Sequence, residues 1–110
     1  MSLQRQTVYK MDLNRNIRIA VDTGKVAYGS ESARKAILNK QAKLVIFATN
    51  TPSDIKEDLA YYAKLSGVPT LEFPGSTSDL GAVCGRPHFV SALTIFETGD
   101  SEILKAVETD

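Results

Sequence analysis

The sequence predicts a three-layer α/β/α sandwich built on a four-stranded sheet. Three observations point there. Helix-period and strand-period segments alternate along the chain, the loops between them are short, and Leu44-Val45-Ile46-Phe47-Ala48 is an uninterrupted apolar run of strand length. A strand that is apolar at every position is buried on both faces, so helices must cover the sheet on both sides.

The elements follow in order. Asp12 is a helix N-cap, and Leu13, Ile17, Ala20 and Val21 share the inward face of the helix that follows. Gly24 should end it as a left-handed C-cap. Val26-Ala27-Tyr28 makes a short strand cut by Gly29. Ser30 or Ser32 can cap a second helix through about Asn39, with Ala33, Ile37 and either Ala36 or Leu38 inward. After the Leu44–Ala48 strand, Thr51 reads as an N-cap, Pro52 as the first helical residue and Asp54 as the first-turn acid of a third helix. Ile55, Leu59, Tyr62, Ala63 and Leu65 form its expected buried side, and Gly67 closes it. A strand over 68–73 enters through Pro69. Ser76-Thr77-Ser78-Asp79 is a second capping signal, opening a short helix to Gly85. A fourth strand is expected over 90–96, and a last helix from Ser101 to about Val107.

Composition narrows the class. The 110 residues are 43% apolar and 24% charged with zero formal net charge, which excludes a disordered chain and fits one domain. Residues 1–9 read as an N-terminal extension, with Met1-Ser2-Leu3 a candidate expression leader. No apolar stretch has the length of a membrane span, and no secretory signal opens the sequence. One cysteine, Cys84, rules out an internal disulfide and suits a reducing, cytoplasmic setting. One histidine and one cysteine are too few for a standard zinc site, so neither metal nor cofactor is expected. Charge divides along the chain: residues 1–48 carry net +6 and residues 49–110 net −6, which predicts a basic and an acidic face if the halves do not interleave in space.

Catalytic chemistry is poorly supplied. No Gly-x-Ser-x-Gly elbow, phosphate-binding Gly-Lys-Ser/Thr loop or dinucleotide fingerprint occurs. A nucleophilic dyad would have to pair Cys84 with His88, the only imidazole, and Cys84 lies in a small apolar run that suits a core position. Asp54, Glu57 and Asp58 complement a helix dipole better than they make an acid–base pair. Binding chemistry is better supplied. Gly29-Ser30-Glu31-Ser32 leads into a helix start whose free amides favour an anion, with Arg34 and Lys35 one turn on. Asn50-Thr51 follows a strand, and a side-chain amide can read a base edge. Gly85-Arg86-Pro87-His88-Phe89 is a stiff, partly basic loop with two planar rings that can stack on an unpaired base. Each has a structural reading too: Ser30 as a cap, Asn50 as a turn residue, Phe89 as core. Strand-to-helix turns of such a sandwich gather at one edge, which favours a single RNA site.

Two longer runs are more specific. Asn50-Thr51-Pro52-Ser53-Asp54-Ile55-Lys56-Glu57-Asp58-Leu59-Ala60-Tyr61-Tyr62-Ala63-Lys64-Leu65-Ser66-Gly67-Val68-Pro69 and Leu80-Gly81-Ala82-Val83-Cys84-Gly85-Arg86-Pro87-His88-Phe89-Val90-Ser91-Ala92-Leu93 resemble one ribosomal family. It is the family of large-subunit ribosomal protein number thirty in the archaeal and eukaryotic e-type series, and the likeness is strongest to its archaeal members. The resemblance spans about Asp12 to Leu104. It implies the kink-turn-binding superfamily, whose sheet is mixed, and a non-catalytic ribosomal protein that grips a bent internal loop beside tandem sheared G·A pairs. By position it assigns RNA contacts to Gly29, Ser32, Lys35, Asn50 and the loop Gly85, Arg86, Pro87, His88, Phe89 and Val90, to which the reading of the loops adds Ser30, Glu31 and Thr51. Glu31 departs from the family's usual Lys or Arg; a carboxylate repels phosphate but can accept from a guanine N–H. The implied partners are ribosomal RNA and other large-subunit proteins, with a monomer when free and no membrane. Two alternatives stand beside this: a core protein of a small guide ribonucleoprotein, and a small α/β enzyme or ligand-binding module using Cys84 and His88.

Overall fold

The computed structural model describes residues 12–86 and 88–107. In chain order the elements are α1 (Leu13–Thr23), β1 (Lys25–Tyr28), α2 (Ser30–Leu38), β2 (Leu44–Ala48), α3 (Ser53–Ser66), β3 (Thr70–Phe73), α4 (Thr77–Val83), β4 (Ala92–Glu97) and a 3₁₀ turn (Ile103–Ala106). The four strands form one sheet in the order β1-β4-β2-β3, with β4 antiparallel to both neighbours and β2 parallel to β3. This is the expected three-layer sandwich, and the sheet is mixed. No described helix is long and apolar enough to cross a membrane.

All five residues of β2 are buried, and they divide by alternation. Leu44, Ile46 and Ala48 join Ile17, Ala20, Leu80, Leu93, Ile95 and Ile103 under α1, α4 and the 3₁₀ turn. Val45 and Phe47 join Ala33, Ile37, Leu59 and Ala63 under α2 and α3. Each fully buried Leu or Ile contributes about 1.5–3 kcal/mol, so these two clusters dominate stability.

Local signals hold where they depend on neighbours in sequence. The Asp12 carboxylate accepts the Arg15 N–H at 3.0 Å. Ser76 and Asp79 form a reciprocal capping box. Gly67 closes α3 in a left-handed conformation.

Other expectations are corrected, several of them by contacts from distant segments. Gly24 is extended, not left-handed; a side chain there would collide with the Glu97 carbonyl, so it is glycine because the end of β4 passes over it. Neither Ser30 nor Ser32 caps α2; Gly29 occupies the N-cap position with no side chain to offer. Within α2 the inward residue is Ala36, and Leu38 is half exposed. Thr51 does not cap α3, whose N-cap is Pro52, because its hydroxyl donates to the Ser91 carbonyl at 2.7 Å. Leu65 is 67% exposed, since the stripe through Ile55, Leu59, Tyr62 and Ala63 leaves it about a third of a turn aside. Strand β4 begins two residues later than expected, and the last helix is only the 3₁₀ turn, with Ser101 donating to the Asn16 carbonyl and accepting from Ile103. Finally, β4 lies between β1 and β2. The two halves of the chain therefore interleave, and the charge division along the sequence does not become two faces.

Candidate nucleic-acid interface

Register brings the suspected loops together. Strands β1, β2 and β3 run the same way, so the turns after them leave the sheet at one edge, and antiparallel β4 enters at that edge. Two ladder-end bonds tie the edge together: Gly29 N–H donates to the Ala92 carbonyl at 2.9 Å, and Ala48 N–H to the Ser91 carbonyl at 3.2 Å. Gly29, Asn50 and the segment before Ser91 thus share one rim.

At the first turn, Gly29 has φ +99° and ψ 159°, a region essentially restricted to glycine. The space above its α-carbon is open: a Cβ would meet nothing within 4 Å. Because Gly29 brings no side-chain acceptor, the amides that open α2 face outward without a cap. Ser30 and Ser32 are half-buried here, and Lys35 is exposed. Glu31 lies in the first turn, where the helix dipole favours an acid. It pairs loosely with Arg34 at 3.7 Å, both side chains exposed.

The second turn is built from hydrogen bonds between segments. Asn50 Oδ1 accepts the Thr77 N–H at 2.8 Å and so caps the first residue of α4. This fixes the amide plane; among the described residues its NH₂ group has no partner, and the side chain is exposed. Lys56 Nζ donates to the Thr49 carbonyl at 2.9 Å. Thr51 is buried and holds the start of α3 to Ser91, so its side chain supports the rim instead of lining it.

The third loop leaves α4 through a tight reversal. Gly85 is left-handed at φ +74°; its N–H bonds the Ala82 carbonyl at 3.0 Å and Arg86 N–H bonds the Gly81 carbonyl at 2.9 Å, the paired bonds of a Schellman terminus. The loop then lies against the helix it has left, because a side chain at Gly81 would collide with the His88 carbonyl. Arg86 places its guanidinium carbon 4.3 Å from the Tyr28 ring centroid, which clamps the loop to the end of β1. Pro87 lies outside the described residues. His88 and Phe89 are exposed, Phe89 by 78%, so Phe89 is not core. Val90 is corrected: it is 3% exposed within the cluster under α1 and α4, and its N–H bonds the Thr77 carbonyl at 3.0 Å. An apolar side chain next to β4 is worth more in the core than on the rim, so Val90 anchors the loop.

Tyr28 and Thr77 were missed as rim-shaping residues. Nothing in their immediate sequence reveals a partner that lies 58 or 27 positions away, since both contacts exist only after the sheet has formed. The dyad alternative loses support here. Burial pushes the Cys84 thiol up to about 11, against the opposing pull of Arg18 and Arg86, so at neutral pH it is a protonated core residue. No group of His, Cys, Asp and Glu among the described residues could hold a metal ion.

Comparison with known proteins places the chain in a family. Residues 11–105 match the Ribosomal protein L7Ae/L30e/S12e/Gadd45 family. The chain is 50% identical over 98 residues to large ribosomal subunit protein eL30 of Pyrobaculum islandicum, covering 89% of this chain and 97% of that one. The protein of the same name from Methanosphaera stadtmanae is also 50% identical, over 89% of this chain and all of its own. That of Methanothermobacter thermautotrophicus is 48% identical, over 88% and 99%. A solved structure titled as a protein with unknown function from Bacillus halodurans C has the same fold, with TM-score 0.76, 21% identity, and 89% and 97% of the two chains covered.

Proposed function

The chain belongs to the ribosomal protein L7Ae/L30e/S12e/Gadd45 family, and from that membership we propose that it is a structural constituent of the large ribosomal subunit that grips a kink-turn in ribosomal RNA with this rim. The observation that carries the reading is the convergence of Gly29, Asn50 and His88-Phe89 at one sheet edge, held there by bonds to Ser91, Ala92 and Thr77.

The chemistry fits a bent RNA. A-form RNA hides its base edges in a deep narrow groove, and a sharp bend opens that groove and splays bases outward. The bare backbone at Gly29 lets a nucleotide come close, and the uncapped amides of α2 with Lys35 suit phosphate oxygens. The Asn50 NH₂ group donates to a base edge of the sheared pairs. Exposed His88 and Phe89 stack on bulged bases. Glu31 accepts from a guanine N–H and makes no phosphate contact. The role proposed is one of binding and shaping RNA, in keeping with a structural ribosomal protein. The protein works on cytoplasmic ribosomes beside other large-subunit proteins, and is monomeric when free.

The test is a titration of a kink-turn RNA against a control in which both sheared pairs are made Watson–Crick. Preferential binding of the kink-turn is expected; equal affinity for the two overturns the proposal.

A further inference from the structure

Arg18 belongs to none of the turns described above. It sits on α1, a helix that the rim does not otherwise use, yet its guanidinium lies over Gly85: a Cβ there would collide with Nη1 and stand 2.9 Å from Cζ. Asp22 holds only its Nε, at 3.0 Å, with both side chains about half exposed. One of five guanidinium N–H donors is thereby used, and the η end is the part beside the loop. The next residue along that loop, Arg86, has no carboxylate within ion-pair distance among the described residues. The two guanidiniums occupy one neighbourhood, since each opposes the rise of both the Cys84 thiol and the Tyr28 hydroxyl.

Two cationic forks beside one tight turn, balanced by a single carboxylate, are a partner for an oxyanion with several acceptor oxygens. We propose that Arg18 and Arg86 together hold a backbone phosphate of the bound RNA on the α1 side of the rim. The interface then extends past the sheet edge onto α1. Gly85 serves it twice: its left-handed turn aims Arg86 toward Tyr28, and its missing side chain leaves room for Arg18. This contact rests on the kink-turn reading above.

A purely structural role makes a different prediction. If Arg18 serves only the stability of α1 through its pair with Asp22, then Arg18→Gln and Asp22→Asn break the same bond and act alike. If Arg18 holds phosphate, Asp22 competes with the RNA for it, and the two variants diverge. The experiment titrates the kink-turn RNA and its Watson–Crick control against wild type, Arg18→Gln and Asp22→Asn over a range of salt concentrations, with thermal melts of each variant. Arg18→Gln should bind the kink-turn about five- to tenfold more weakly, with the slope of log K against log salt shallower by about 0.7–0.9. Asp22→Asn should bind as tightly as wild type or more tightly. A wild type that prefers the kink-turn while Arg18→Gln keeps its affinity and slope overturns this contact alone. Equal weakening by both variants also overturns it. A wild type that treats the two RNAs alike overturns the kink-turn reading and this contact with it.

Discussion

Substituting Asn50 separates its two tasks. Its Oδ1 accepts the N–H of Thr77, and its NH₂ faces outward from the rim. Asn50→Ala removes both, so a loss of RNA binding in that variant has two explanations. Asn50→Asp keeps an oxygen at the Thr77 amide and removes only the donors. Losing a capping acceptor costs about 1 kcal/mol, which lowers Tm by about 4–8 °C in a domain near this size. A carboxylate at a helix start instead gains about 0.3–1 kcal/mol from the dipole. Asn50→Ala should therefore melt lower than wild type, and Asn50→Asp at the same temperature or higher.

Binding should order the variants differently. A lost base-edge contact costs about 1–3 kcal/mol, roughly a five- to 150-fold weaker complex, and the aspartate adds repulsion from phosphate. Both variants should lose affinity for the kink-turn RNA, with Asn50→Asp the weaker binder despite its intact fold. Thermal melts paired with RNA titrations on the same samples measure both quantities. Asn50→Asp binding like wild type would refute the base-reading role; Asn50→Asp melting as low as Asn50→Ala would refute the cap.

Three further outcomes are expected. Gly29→Ala should lose about 1–3 kcal/mol of stability, because the native φ of +99° admits only glycine; an unchanged Tm would show that the turn relaxes freely. Thr94 is fully buried in β4 with no partner for its hydroxyl among the described residues, so Thr94→Val should raise stability by about 1 kcal/mol in denaturant titrations, and a fall would reveal a hydrogen bond at that hydroxyl. The folded Cys84 thiol is raised from 9.0 to about 11, so between those values the unfolded chain releases a proton that the folded one keeps. The thiol's contribution to stability should decline with rising pH across that window; Cys84→Ala should therefore decline less than wild type there, and identical slopes for the two proteins would show that the thiol does not contribute.

What was legible in the sequence was local or periodic. The β2 run, the Asp12 cap, the Ser76–Asp79 box and the Gly67 terminator each depend on residues within four positions or on repetition along one element. Several corrections share one cause. Gly24, Thr51 and Val90 are governed by Glu97, Ser91 and the core, and Asn50 finds its partner at Thr77, all contributed by segments distant in the chain. A hydroxyl or amide shows in sequence that it will bond, not with what. The candidate site was therefore found as a set of loops, while the division of labour within it had to come from the register of β4.

That division bears on affinity. A chain of zero net formal charge cannot rely on the counterion release that drives strongly basic proteins onto RNA. It must instead lose little on binding, which requires a surface already in its bound shape. On the proposed reading the rim meets that condition, because residues set back from its surface fix the outward ones. Thr51 and Ala48 converge on the Ser91 carbonyl, Val90 is sunk in the core, Gly81 admits the loop against α4, and Tyr28 receives Arg86. Each of these supports lies one residue or one hydrogen bond from an outward group. If the rim grips RNA as proposed, the low charge and the many buried supports are two sides of one solution, in which shape and base-edge contacts carry what electrostatics does not.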